Sequence, residues 1–267
     1  MVKNSWFKFV MSILAAILLF FILAPILKLV LGTEYKVMVE TVQDQEIMSS
    51  ILLTFYASLA ATVLSIITGI PLAYLLARVD FFGKSVVEGL INLPIIIPHT
   101  AAGIALLTVF GNRFFVGRLF NMLGINFVGS FYGIVIAMMF VSMPFLVNEA
   151  KEGFKSIDVR YEKVARSLGY SPYKTFMKVS IPINLNHIIS GSLLMWARGL
   201  SEFGAVVILA YHPMTAPILI YERFTSYGLK YATPVAAIMV LISISIFTVI
   251  SIINNKKNGV NRSKIND

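Results

Sequence analysis

Apolar residues fall in long blocks along this chain rather than in alternation. Blocks run from Phe9 to Leu31, Ser50 to Ala77, Val86 to Phe110, Ser130 to Val147, Ile183 to Tyr211 and Thr233 to Ile253. A helix rising about 1.5 Å per residue needs roughly 20 such residues to cross roughly 30 Å of hydrocarbon. The pattern predicts an all-α membrane protein with six transmembrane helices over residues 9–253, flanked by short tails at 1–8 and 254–267. Lys3 and Lys8 precede the first block as they would in a signal peptide. The block is longer than a signal peptide's apolar region, and no small-x-small cleavage site follows it, so it reads as a retained span. The polar tail from Asn254 is expected to be disordered.

Two blocks are not uniform. The third holds Asn92, Pro94, Pro98 and His99, and the fifth holds Asn184, Asn186, His187, Arg198 and Glu202. Such breaks are tolerated at membrane depth where backbone is buried in protein or lines a water-filled path.

The longest polar interruption, residues 148–182, has a pattern of its own. Phe154, Ile157, Tyr161, Val164 and Leu168 are spaced 3, 4, 3, 4 and predict one apolar stripe of a helix. Asp158, Glu162 and Arg166 recur every four residues on another face, with Glu162 N-terminal to Arg166 as a favourable pair requires. Gly169 suits the left-handed residue that ends a helix. Ser171 suits the cap of a second helix, with Pro172 at its first position, running to about Val179. Pro182 stands where the fifth block begins. The segment reads either as an ordinary loop on the membrane surface or as a helix–turn–helix knuckle.

Charge sets an orientation. With the N-terminus inside, inside segments carry fifteen Lys and Arg and outside loops five, the bias expected of cytoplasmic loops. Both termini and the 148–182 segment then face the cytoplasm. The net charge of +9, with 58% hydrophobic and only 13% charged residues, follows from this topology. No basic, aromatic-rich soluble domain is left to bind nucleic acid. The chain has no cysteine, which excludes disulfides, thiolate metal sites and cysteine nucleophiles, and its three histidines lack ligand spacing. Gly83-Lys84-Ser85 is not a phosphate loop, because Arg78 occupies the place of the first glycine.

The order within the knuckle resembles the "EAA" loop of permease subunits of ATP-binding-cassette importers. Lys163-Val164-Ala165 holds the triplet position with Glu162 one place early. Gly169 holds the glycine, and Val179-Ser180-Ile181-Pro182 the ending. The match extends over about residues 48–253. Within that family, Leu93–Leu107 and Ala197–Ala205 are similar to segments of molybdate, tungstate and sulfate permeases, closest to the archaeal tungstate/molybdate type. The resemblance implies a type I importer architecture and a homodimer, since one six-span chain encloses too little. It implies two copies of a separate ATPase subunit that bind ATP and Mg, none being held by this chain, and an extracytoplasmic oxyanion-binding protein. It implies that Glu162, Val164, Ala165, Leu168, Gly169, Ser171, Pro172 and Pro182 couple the chain to the ATPase. Sulfate or thiosulfate is the nearest alternative substrate.

For the path of the ion, the candidates are Pro94, Pro98, His99, Thr100, Arg198, Ser201 and Glu202. The prolines remove backbone hydrogen bonds, and Thr100 and Ser201 offer hydroxyls. Arg198 reads as a cation beside the anion path or, preferred, as an ion pair with Glu202 one turn on. His99 lines the pore or is a packing histidine. Arg113 and Arg118, among Phe114, Phe115 and Phe120, meet the binding protein or anchor at the membrane interface. A stand-alone secondary transporter is disfavoured by the absence of internal repeats and of further intramembrane acids. A membrane hydrolase is disfavoured because no serine, histidine and acid set suggests itself.

Overall fold

In lipid, a helix satisfies its own backbone within one segment. The computed structural model describes residues 5–263 and is mostly helical in every apolar block. Residues 1–4 and 264–267, including Lys3 and Lys264 of the expected tails, lie outside the described residues. The chain divides into two compact units, Met1–Ile51 with Leu219–Asp267, and Leu52–Ile218.

In the first unit α1 (Ser5–Leu31) is apolar on all sides and exposed along its length. It packs on α14 (Leu229–Ser263), which also meets α2 (Tyr35–Gln43). Helix α14 continues to Ser263, so the polar stretch expected to be disordered from Asn254 is helical that far. Asp44, between α2 and α3 (Gln45–Arg78), accepts hydrogen bonds from the amides of Glu46 (2.9 Å) and Ile47 (3.4 Å). It also accepts one from Arg223 Nη2 (3.1 Å) on α13 (Ala216–Tyr227). Burial pushes the Asp44 carboxyl upward, but the Arg223 hydrogen bond and charge and the two amides outweigh it and hold the carboxyl below its ordinary value.

The second unit holds the rest of α3, then α4 (Lys84–Ile96), α5 (His99–Phe110), α6 (Phe115–Met122) and α7 (Phe131–Ser156). Helices α8 (Val159–Ser167) and α9 (Pro172–Thr175) follow, and then a π-helical turn (Phe176–Ser180). The unit closes with α10 (Ile181–Ile183), α11 (Leu185–Leu200) and α12 (Gly204–Leu209). The pairing of α7 with α11 is its backbone. Gly191 permits it, since a Cβ there would come within 2.9 Å of Glu149 Cβ and 3.2 Å of Leu146 Cα. Small residues at such crossings let helices in lipid gain van der Waals contact. One apolar cluster gathers Ala57, Ala102, Met138, Met195 and Val206, and a second gathers Ile70, Leu76, Ile91, Phe154 and Ile188.

Six uniform spans are not what the described residues hold. Four helices are long and apolar enough to cross a membrane: Trp6–Leu31, Gln45–Arg78, Phe131–Ser156 and Leu229–Thr248. The expected third span is a pair, α4 and α5, bent by 116°. Proline dictates the break. Pro98 has no N–H for the carbonyl of Pro94 and would collide with it, and it pushes Ile97 into an extended conformation (φ −72°, ψ 147°). The expected fifth span is interrupted at Ser201–Phe203. Its main helix, α11, has 16 residues, about 24 Å of rise and short of the hydrocarbon thickness.

Candidate coupling knuckle and translocation site

The segment 148–182 is a knuckle, but its first helix is not the continuous stripe that the spacing predicts. Helix α7 runs to Ser156, Ile157 is extended, and α8 restarts at Val159 with Asp158 as its cap, accepting from the amide of Arg160. The break rotates the stripe apart. Phe154 and Ile157 are buried in the second apolar cluster, whereas Tyr161, Val164 and Leu168 are 60%, 57% and 77% exposed. The buried face of α8 is instead Glu162 and Ala165.

The turn matches its local signals. Gly169 has φ +86°, and the amide of Tyr170 reaches back to the carbonyl of Ala165. Ser171 Oγ accepts from the amide of Lys174, with Pro172 at the first helical position. The second helix does not stop at Val179. It widens into the π turn and passes through Pro182 toward α11. Pro182 offers no N–H to the carbonyl of Lys178, and a one-residue expansion is a common accommodation of such a loss.

Glu162 does not pair with Arg166. Its Oε1 accepts from Arg78 Nε (3.0 Å) and Ser180 Oγ (2.9 Å), and its Oε2 from Tyr74 OH (3.1 Å). Arg78 also donates from Nη2 to the carbonyl of Ile157 (3.1 Å). Tyr74, Arg78 and Ser180 were not legible from spacing, because they reach Glu162 from other elements. The one clue was a tyrosine and an arginine four apart at the end of a span.

The ion-path candidates separate into two groups. Pro94 is buried within α4, and Pro98 caps α5. His99, Arg198, Ser201 and Glu202 meet. Glu202 is 1% exposed, its Oε1 accepts from the amide of Ala205, and its Oε2 lies 3.0 Å from both Arg198 Nη2 and His99 Nδ1. These last are close ionic contacts rather than well-aligned hydrogen bonds. Arg198 Nη2 lies 2.9 Å from His99 Nδ1 and 3.0 Å from Nε2, and Nη1 donates to Ser201 Oγ (3.2 Å). Thr100 is exposed beside them. Two glycines make the meeting possible. A Cβ on Gly204 would lie 2.7 Å from His99 Cβ, and one on Gly103 would lie 2.9 Å from the carbonyl oxygen of Ala205. The preferred ion pair of Arg198 with Glu202 is present, with His99 as its third member.

The family model described as "Binding-protein-dependent transport system inner membrane component" matches residues 69–257. The chain belongs to this family. Members of the family are multi-pass membrane components of transport systems. The molybdate/tungstate transport system permease protein WtpB of Thermococcus kodakarensis is 37% identical over 96% of this chain and 100% of that protein. Its namesake from Methanocaldococcus jannaschii is 42% identical over 78% of this chain and 82% of its own. A probable sulfate transport system permease protein, cysT, of Zygnema circumcarinatum is 31% identical over 89% and 85%. Among solved structures, the bacterial alginate ABC transporter in complex with an alginate-pentasaccharide-bound periplasmic protein superposes at a TM-score of 0.71. It covers 96% of this chain and 94% of the matched one at 17% identity. The fold is that of a type I ABC importer permease.

Proposed function

We propose that this family member is the membrane subunit of an ATP-driven importer of molybdate or tungstate. The observation that carries the reading is the match to molybdate/tungstate permeases along almost the whole chain, 37% identical over all of one of them. The matches to sulfate permeases are weaker. On this reading the chain has both termini in the cytoplasm. It crosses the membrane six times if the bent α4–α5 pair and the broken α11–α12 segment each count as a crossing, and it works as a homodimer. An extracytoplasmic protein delivers the oxyanion, and two ATPase subunits, which hold ATP and Mg, drive alternating access.

The knuckle supplies the ATPase dock. Tyr161, Val164 and Leu168 present an apolar stripe outward, ringed by Arg160, Lys163 and Arg166. The Gly169–Pro172 turn fixes the angle to the next helix, while Ala165 and Pro182 set its packing and its link to α11. A stripe of this kind in water is an interface until it is covered.

At the ion-path cluster, Arg198 and Glu202 cancel, so a doubly charged oxyanion passing His99 and Ser201 meets the exposed Thr100 hydroxyl without a net trapping charge. A binding protein can then carry the selectivity, and the path need only avoid holding the ion.

Reconstituting the chain with its ATPase and binding protein in vesicles tests this. ATP-dependent tungstate uptake, suppressed by molybdate and indifferent to excess sulfate, is the expected result. Uptake of sulfate alone transfers the chain to the sulfate class, and the absence of ATP-dependent uptake of any oxyanion overturns the reading.

A further inference from the structure

A carboxylate that docks a partner must show that partner a free oxygen. Glu162 shows none. It is 7% exposed, while its neighbours Tyr161, Lys163 and Val164 face outward. Both carboxylate oxygens are engaged by donors from other elements: Arg78 and Tyr74 on the last turns of α3, and Ser180 at the end of the π turn leading to α11. Arg78 also holds the carbonyl of Ile157, the extended residue at which the chain leaves α7 for α8. The arrangement rests on an aromatic floor. The Tyr74 ring centroid lies 5.3 Å from that of Phe154 and 4.7 Å from that of Phe176. One desolvated carboxylate thus ties α8 to α3, to the α7–α8 break and to the head of α11.

We propose that Glu162 and Arg78 form a transmission joint. They are positioning residues that make α3 and α11 follow the knuckle as one body, and they are not contacts to the ATPase. The proposal rests on the knuckle being the ATPase dock. Without the joint, α8 is tied toward α11 by the Gly169 turn and its packing on the π turn, with no charge-assisted link to α3. With it, a displacement of α8 is carried by charge-assisted hydrogen bonds, which are short, directional and strong in a desolvated setting. Chemistry matches position: an arginine's planar fork holds a carboxylate and a carbonyl in fixed directions from two nitrogens, where a lysine offers one nitrogen on a flexible stem.

The test uses the complete complex, the full chain with its ATPase subunit and its tungstate-loaded binding protein in lipid vesicles. Three quantities are read for each variant: the ATPase subunit that co-purifies, basal ATP hydrolysis, and the stimulation of hydrolysis by the loaded binding protein. Arg78→Gln and Glu162→Gln are expected to keep the ATPase subunit and basal hydrolysis and to lose stimulation by roughly tenfold, within the usual range of coupling between sites. The exchange Arg78→Glu with Glu162→Arg is expected to recover part of it. Arg78→Lys and Tyr74→Phe, milder at the same place, are expected to fall between and carry the test if the stronger variants fail to accumulate. Unchanged stimulation in the glutamine variants, or in the milder pair where that pair stands in, overturns the joint. So does loss of the ATPase subunit from the Glu162→Gln complex, which makes Glu162 a docking contact. Leu168→Asp separates the two readings. It is expected to shed the ATPase subunit, and a complex that retains it with full stimulation overturns the dock itself. A wild-type complex with no stimulation overturns the importer reading.

Discussion

Glycine and glutamate decide the tightest places in this molecule, and each does so through what it lacks or what it shares. Gly204 lacks the Cβ that would strike His99, so Gly204→Ala is expected to lower stability by about 1–3 kcal/mol, the usual range for overpacking. Thermal unfolding in detergent measures it as a fall of several degrees. Gly169 lacks only a strain. Nothing lies within 4 Å of its missing Cβ, yet its φ of +86° makes Gly169→Ala unfavourable by about 1–2 kcal/mol without any clash. Glu202 is shared by Arg198 and His99. Removing it alone as Glu202→Leu leaves Arg198 without its counter-charge and is expected to destabilise by about 3 kcal/mol. The double change Arg198→Leu with Glu202→Leu is expected to be milder than Glu202→Leu by itself. Unfolding midpoints of the two single variants and the double variant check that ordering.

At the level of elements, the knuckle shows which features a sequence announces. Gly169, Ser171 and Pro172 behave as their residue types require, because turn geometry and capping are settled within three or four residues. The stripe from Phe154 to Leu168 is broken: spacing assumes an unbroken helix, and Ile157 is extended where Arg78 holds its carbonyl. Glu162 was matched to Arg166 for the same reason: periodicity sees neighbours on one helix and not a donor 84 residues away. The bend between α4 and α5 was visible as Pro98, but its 116° was not, since the angle depends on what α5 packs against. The exposed stripe yields its own prediction. Val164→Asp, at 57% exposure, is expected to leave stability within about 0.5 kcal/mol of the wild type while displacing the ATPase subunit. Co-purification and thermal unfolding on the same sample check it.

For the molecule as a whole, the two units are held by different things. In the first unit, the Asp44 carboxyl titrates below its ordinary value of 3.8 when folded. Its stabilising contribution is therefore complete above about pH 4 and is lost as pH falls through the lower folded value. Asp44→Asn is expected to remove that acid sensitivity and to lose up to about 1 kcal/mol at neutral pH, the scale of a partly exposed pair. Unfolding midpoints between pH 7 and about pH 3 follow it, and a variant whose pH profile parallels the wild type excludes the assignment. In the second unit, the knuckle's two faces are anchored to different things: Glu162 to the interior of its own chain, and Tyr161, Val164 and Leu168 to whatever lies outside. With the outward face as the proposed ATPase dock, such a division would let lineages exchange engines. Substitutions on the outward face can follow a changing ATPase while the inward carboxylate stays as it is. A hybrid carrying another permease's residues at positions 161, 164 and 168 should therefore accept that permease's motor and still move its own cargo.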